Sequence, residues 1–396
     1  MNPDLAKLKP YPFQRLRQLL HGVEASADFT PINLSIGEPK HATPAFIRQA
    51  IVDHLDGLAG YPSTHGMDAL RSAIARWLEK RYRLPYINPE KQVLPVLGSR
   101  EALFAFAQVI VDRRAKPVVI SPNPFYQIYE GAALLAGAEP FYLNTTPENG
   151  FRMDFSQVPD HILERTQLVY VCSPGNPTGR VLTLEEWQTL FTLSDRYDFI
   201  IAADECYSEI YFDEAKPPLG ALEAAHRLGR DGFINLVVFS SLSKRSNVPG
   251  MRSGFVAGDA EILEKFLLYR TYHGCAMSPT VQHASTAAWQ DEDHVLENRR
   301  LYRAKFIAFR DIIGDALPLT LPEAAFYYWV RTPIEDTEFT RALYREYNVL
   351  VLPGSFLARD SHGVNPGANF VRIALVASES ECAEAARRIR EFAKTL

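Results

Sequence analysis

The sequence predicts an α/β fold: a mostly parallel sheet flanked by helices, with a smaller α+β domain attached. Three observations support this. The runs PVVIS (117–121), LVYVCS (168–173), FIIAAD (199–204) and LVVFSS (236–241) are apolar throughout rather than alternating, which is how strands covered on both faces read. Helical patterns separate them, the arrangement of βαβ units. From about residue 290 onward the chain changes character, with charged helical stretches around short strand-like runs.

The stretch SREALFAFAQVIV, opening at Ser99, sets Leu103, Phe104, Ala107 and Val111 on one helical face. Thr183 and Glu186 stand at capping-box spacing ahead of WQTLFTL. Each of the four strands runs into a polar, Gly/Pro-rich or hydroxyl-rich segment: SPNPFY, SPGNPTG, DECYS and SLSKRS. In a parallel sheet these ends emerge on one side, the edge where open α/β sheets bind ligands. Beyond residue 290, HVLENRRLYRAKFIAFRDII and ESECAEAARRIREFAKTL read as helices, and FYYWV, NVLVL and NFVRIALV as short strands. The expected division is a large domain over 46–290 and a small one built from 1–45 together with 291–396.

Composition narrows the function classes. The 396 residues are 47% hydrophobic and 22% charged with 22 Gly and 27 Pro, a globular profile rather than a disordered or collagenous one. Forty-two basic against 47 acidic residues give a net charge of -5, and no basic stripe suggests nucleic acid or an anionic membrane as a partner. Cysteines at 172, 206, 275 and 382 are too dispersed for a metal knuckle and too few for a disulfide framework. Reduced thiols in a cytoplasm are expected. The start MNPDLAKLKPYPFQRL lacks the pattern of a secretory signal, and no apolar run approaches the ~18 residues of a membrane span.

The common phosphate and metal motifs are absent: there is no G-x-G-x-x-G, no G-x-x-x-x-G-K-[ST] and no H-E-x-x-H. The unusual residues sit at the strand ends. Lys244 follows LVVFSS closely, where a lysine held in a cleft mouth can be neutral enough to attack an aldehyde. By itself, such a lysine reads better as a solvated surface residue. Asp204 ends FIIAAD, where a carboxylate is costly to bury unless it meets a cation; a structural salt bridge is the plain alternative. Pyridoxal 5'-phosphate accounts for both, bringing an aldehyde for the lysine and a pyridinium nitrogen for the carboxylate. Arg252, Ser241 and the helix-start amides of Ser99 and Arg100 are candidates for its phosphate.

SPGNPTG at 173–179, DECY at 204–207 and SLSKRSNVPGMRSG at 241–254 resemble the signatures of the class I/II, fold-type I PLP-dependent aminotransferases. LSIGEP at 34–39, YPSTHGMDALR at 61–71, PNPFYQIY at 122–129 and NFVRIALV at 369–376 follow in the family's order, so the resemblance spans essentially the whole chain. It implies that Lys244 bonds the cofactor aldehyde, that Asp204 pairs with the ring nitrogen, and that Tyr207 and Asn176 bond the ring's phenolic oxygen. It further implies that Tyr126 stacks on the ring, and that Ser99, Arg100, Ser241 and Arg252 hold the phosphate. Tyr61 is implied to join them from the second subunit of a homodimer. Arg372 is implied to clamp the substrate α-carboxylate, with the backbone of Gly37 closing the other side. The implied reaction is a ping-pong amino transfer with no metal, in which Lys244 moves a proton from Cα.

Within the family, LKPYPFQRLRQLL, LSIGEPKHATPAF, NPFYQIYEGAALLAGAEP and YRTYHGCAMSPT are most similar to the proteobacterial N-succinyldiaminopimelate aminotransferases. The resemblance implies amino transfer from N-succinyl-LL-2,6-diaminopimelate to 2-oxoglutarate, giving glutamate, in lysine and diaminopimelate biosynthesis. Aspartate, aromatic or acetylornithine-like donors, or a PLP-dependent lyase reaction on the same fold, remain alternatives. Lys40, and Arg270 or His273, are candidate cations for the distal carboxylates, with a surface or structural role the plainer reading of each, and Cys275 is expected to be a small buried residue.

Overall fold

The computed structural model describes residues 1–396. Its main sheet has seven strands in the order Val93–Val96, Gly254–Gly258, Leu236–Ser241, Ile200–Asp204, Thr166–Cys172, Val118–Asn123, Glu139–Asn144. Only Gly254–Gly258 runs antiparallel to its neighbours. The four predicted strands occupy the centre. Their residues divide between two cores: Val118, Ile120, Val169, Val171, Ile201 and Ala203 face one way, and Val119, Leu168, Tyr170, Ala202 and Val237 the other. Both faces are dry, which is why these runs could not alternate.

The helix Ser99–Ile110 begins at its expected residue, after Gly98 at φ 83°. Its buried face differs from the expected one. Phe106 is fully buried and packs against Phe239 and Phe266, whereas Phe104 is half-buried. A second helix, Ile128–Ala136, lies alongside and takes up Phe104 near Gly131, so the helix has two partners where a one-face pattern assumes one. The Thr183–Glu186 capping box forms at the start of Leu184–Tyr197, and a second one, Ser378 with Glu381, opens Glu379–Ala393.

Beyond residue 290, an antiparallel sheet of Leu352–Pro353, Phe370–Ala374 and Tyr327–Arg331 packs with the helices Asp293–Ile313 and Glu379–Ala393 around a third core. The N-terminal segment joins it: Ile32–Asn33 pairs in parallel with Val349–Leu350, and Leu34 accepts a bond from the amide of Ala374 (2.8 Å). This stitching leads Ser35, Ile36 and Gly37 directly over the carboxyl ends of the large sheet's strands.

Candidate active site

A cleft of about 490 Å³ opens between the strand ends of the large sheet and the smaller sheet with its N-terminal segment. Asp204 and Ser241 are the last residues of their strands, and Ser99 is the first of its helix, so all three reach the same edge. Of the residues singled out from the sequence, Gly37, Ser99, Arg100, Tyr126, Asn176 and Asp204 line the cleft. So do Tyr207, Ser241, Lys244, Arg252 and Arg372. Tyr61 does not; its side chain stands fully exposed on the surface.

Lys244 lies on a single helical turn, Leu242–Arg245, and its Nζ donates to the Gly37 carbonyl (2.8 Å). Burial pushes its amine down to about 8; the nearby Cys206 thiol opposes that shift and the Arg372 guanidinium adds to it. Asp204 is 4% exposed and forms no ion pair, the Lys244 ammonium acting on it only from beyond contact, so the salt-bridge alternative fails. Its carboxylate accepts instead from the Tyr129 hydroxyl (2.7 Å) and the Cys206 amide (3.2 Å). Burial raises its pKa despite these bonds. A buried carboxylate held by neutral donors is one whose charge is still to be balanced.

At one end of the cleft a set of anion-binding groups gathers. The first-turn amides of Ser99–Ile110 have no intrahelical acceptor, Ser241 and Ser243 pair their hydroxyls (2.8 Å), and Arg252 reaches the Leu97 carbonyl (3.3 Å) beside Gly98. Arg100 donates through Nε to the Tyr126 hydroxyl (2.6 Å). At the other end Arg372 donates to Asn176 Oδ1 (2.9 Å) and the Ser35 carbonyl (2.9 Å), while its buried Nε has no partner. The Tyr207 and Tyr327 hydroxyls bond each other (2.8 Å), and burial raises both pKa values, keeping the phenols protonated. The donor set therefore suits a phosphorylated, cationic ring aldehyde between two anion sites: hydroxyls and a helix end for phosphate, Asp204 for a ring cation, an amine for an aldehyde and Arg372 for a carboxylate.

Residues 30–389 match the family model for aminotransferase class I and II. The chain belongs to this family. Class I and II aminotransferases use pyridoxal 5'-phosphate, in agreement with the donor set. The chain is 30% identical to LL-diaminopimelate aminotransferase 2 of Trichormus variabilis, over 98% of this chain and 97% of that one. Among solved structures, an aminotransferase from Neisseria meningitidis superposes with a TM-score of 0.96 at 51% identity, covering 99% of this chain and 100% of the other. Aminotransferase AspB from Helicobacter pylori gives 0.90 at 36% identity, covering 98% and 100%.

The distal-carboxylate candidates do not reach the cleft. Lys40 is exposed and lies outside it. Arg270 is 1% exposed and consumed by Glu101 (2.6 Å) and the Cys275 carbonyl, an internal tie. His273 is exposed beside Cys275, which is buried as expected. Glu101, His273 and Cys275 offer ligand atoms within 4.8 Å of one another, but the Arg270 guanidinium already holds that carboxylate and opposes a divalent cation there. Sequence reasoning assigned no role to Tyr129, Ser243 or Tyr327. Tyr129 and Tyr327 read as apolar positions of a helix and a strand, and Ser243 lies within the SLSK run already used for Lys244.

No helix is long and apolar enough to cross a membrane.

Proposed function

We propose that this aminotransferase moves the amino group of N-succinyl-LL-2,6-diaminopimelate to 2-oxoglutarate. When bound, pyridoxal phosphate supplies an aldehyde that takes up the donor's amino group and a ring that draws electrons from its Cα–H bond. The chain's residues do the rest. Asp204 holds a positive charge on the ring nitrogen, and the observation that carries the reading is this buried carboxylate without a protein cation, across the cleft from a lysine of lowered basicity. Ser99, Arg100, Ser241 and Arg252 hold the phosphate, Tyr126 covers the ring, and Asn176 and Tyr207 bond its oxygen. Arg372 holds the donor's α-carboxylate, its free Nε and an Nη forming the fork that a carboxylate accepts. Lys244, freed, carries the proton of the donor's Cα as base and then as acid; an amine near pH 8 has the basicity this requires. Tyr61 completes the phosphate site of a second copy in a homodimer.

The succinylated donor is supported by the similarity of the segments around Gly37, Tyr126 and 270–279 to enzymes that act on it. The cleft also fits an acidic tail: the Nη groups of Arg100 bond no protein acceptor, and Tyr11, Pro12 and Phe13 form a wall beside them. The relatives named for LL-diaminopimelate favour a second reading, in which the unacylated diamine is the donor. A donor panel with 2-oxoglutarate as acceptor separates the two. Succinylated diaminopimelate should exceed free LL-diaminopimelate, acetylornithine, aspartate and aromatic amino acids in kcat/KM by at least about 100-fold, ~2.7 kcal/mol of differential binding. Preference for the free diamine would overturn the succinyl assignment and leave the amino transfer standing.

A further inference from the structure

Asn298 lies on the helix Asp293–Ile313, is 2% exposed and stands outside the cleft lining, yet it makes bonds in four directions. Its Nδ2 donates to the carbonyls of Lys244 (3.2 Å) and Arg245 (3.4 Å). Its Oδ1 accepts from Asn247 Nδ2 (3.0 Å) and from His41 Nδ1 (2.7 Å). Only one orientation of the amide satisfies this set, because a flip would turn Oδ1 against two carbonyl oxygens. The same logic fixes His41: Nδ1 must carry the hydrogen, which leaves Nε2 to accept from the buried Lys305 ammonium (2.6 Å).

The two carbonyls belong to the single turn Leu242–Arg245, too short to bond its own last acceptors. Asn298 therefore caps the turn that carries Lys244, and does so from another element. Its other partners lead to the opposite wall of the cleft. His41 and Thr43, whose hydroxyl donates to the Asn247 carbonyl (3.0 Å), lie on the N-terminal segment that presents Gly37 to Lys244 Nζ. About one and two turns further along the same helix, Tyr302 and Phe306 are buried in the core of the smaller sheet. We infer that Asn298 is a positioning residue, holding the Lys244 turn and the Gly37 segment in register so that the lysine amine stays aimed along one line through the cleft. This rests on the reading of Lys244 given above.

The test uses the holoenzyme. Asn298→Ala should lower kcat about 10-fold or more while donor KM stays within about 2-fold, since the loss falls on the reacting arrangement and leaves Arg372 untouched. The pH midpoint of the cofactor's visible absorbance should move by at least about 0.5 unit, because the amine that bonds it no longer sits in the same surroundings. A folded variant with the wild-type midpoint and wild-type kcat overturns the inference. Should Asn298→Ala not fold, Asn298→Ser, which keeps one hydroxyl donor, is read in the same two assays and should be intermediate; wild-type values again overturn it. The wild-type protein against Lys244→Ala separates this from the underlying reading: cofactor that borohydride reduction still fixes covalently to Lys244→Ala rejects the role of Lys244, whatever Asn298 does.

Discussion

At the scale of single residues, the site works by leaving charges unbalanced. Asp204 is buried among neutral donors, Arg372 keeps a buried Nε free, and burial pushes Lys244 down to about 8 against 10.5 for an ordinary lysine. The unfolded chain therefore binds more protons than the folded one between about pH 8 and 10.5, and in the cofactor-free protein this group's contribution to stability rises with pH through that window. The amine should label accordingly. Acylation of Lys244 in cofactor-free protein, followed by peptide mass spectrometry, should show a midpoint near pH 8; a midpoint near 10.5 would mean that the cleft leaves the amine as water does. Lys244 and Asp204 were legible in the sequence because Asp204 ends, and Lys244 closely follows, an uninterrupted apolar strand. Tyr129 was not, since nothing in its spacing distinguishes a tyrosine that bonds a carboxylate from one that merely fills space.

At the scale of elements, strand ends and helix starts place the chemistry. Val93–Val96 feeds through Gly98 into Ser99–Ile110, and the sharpness of that turn depends on glycine: φ is 83°, and a Cβ there would clash with the Arg252 guanidinium. Gly98→Ala should displace Arg252 from the phosphate end. Losing one charge-assisted hydrogen bond, ~1.5–3 kcal/mol, should raise the dissociation constant for pyridoxal phosphate about 10-fold or more, read by equilibrium dialysis. Helix content by circular dichroism should be unchanged; retained cofactor affinity would separate Arg252 from the phosphate. The central strands were legible because burial on both faces forces continuous apolar runs. The antiparallel Gly254–Gly258 was not: its sequence GFVAG reads like any short apolar strand, and direction is set by the connection, not by composition.

At the scale of the molecule, one candidate for the cofactor's phosphate has no place in the chain's own cleft. Tyr61 is fully exposed, with Leu58 and Leu55 exposed nearby. If Tyr61 completes a second copy's site, mixing Tyr61→Ala with Lys244→Ala subunits should form hybrids with one intact site, and activity should exceed the sum of the two parents after unfolding and refolding together. No gain on mixing would confine Tyr61 to its own subunit's surface.

The sequence by itself determined the strand-and-helix alternation, the chemistry-bearing strand ends and the family, because those follow from local periodicity and from residue types in fixed order. Only the tertiary structure decided which cations face the cleft. Arg270, a candidate substrate ligand by position, is consumed by Glu101, and Arg372 from the smaller sheet becomes the partner of Asn176 in the loop after Thr166–Cys172. The reason is physical: a guanidinium's role is set by the nearest carboxylate or carbonyl in space, and in these two cases that acceptor lies 169 and 196 residues away along the chain.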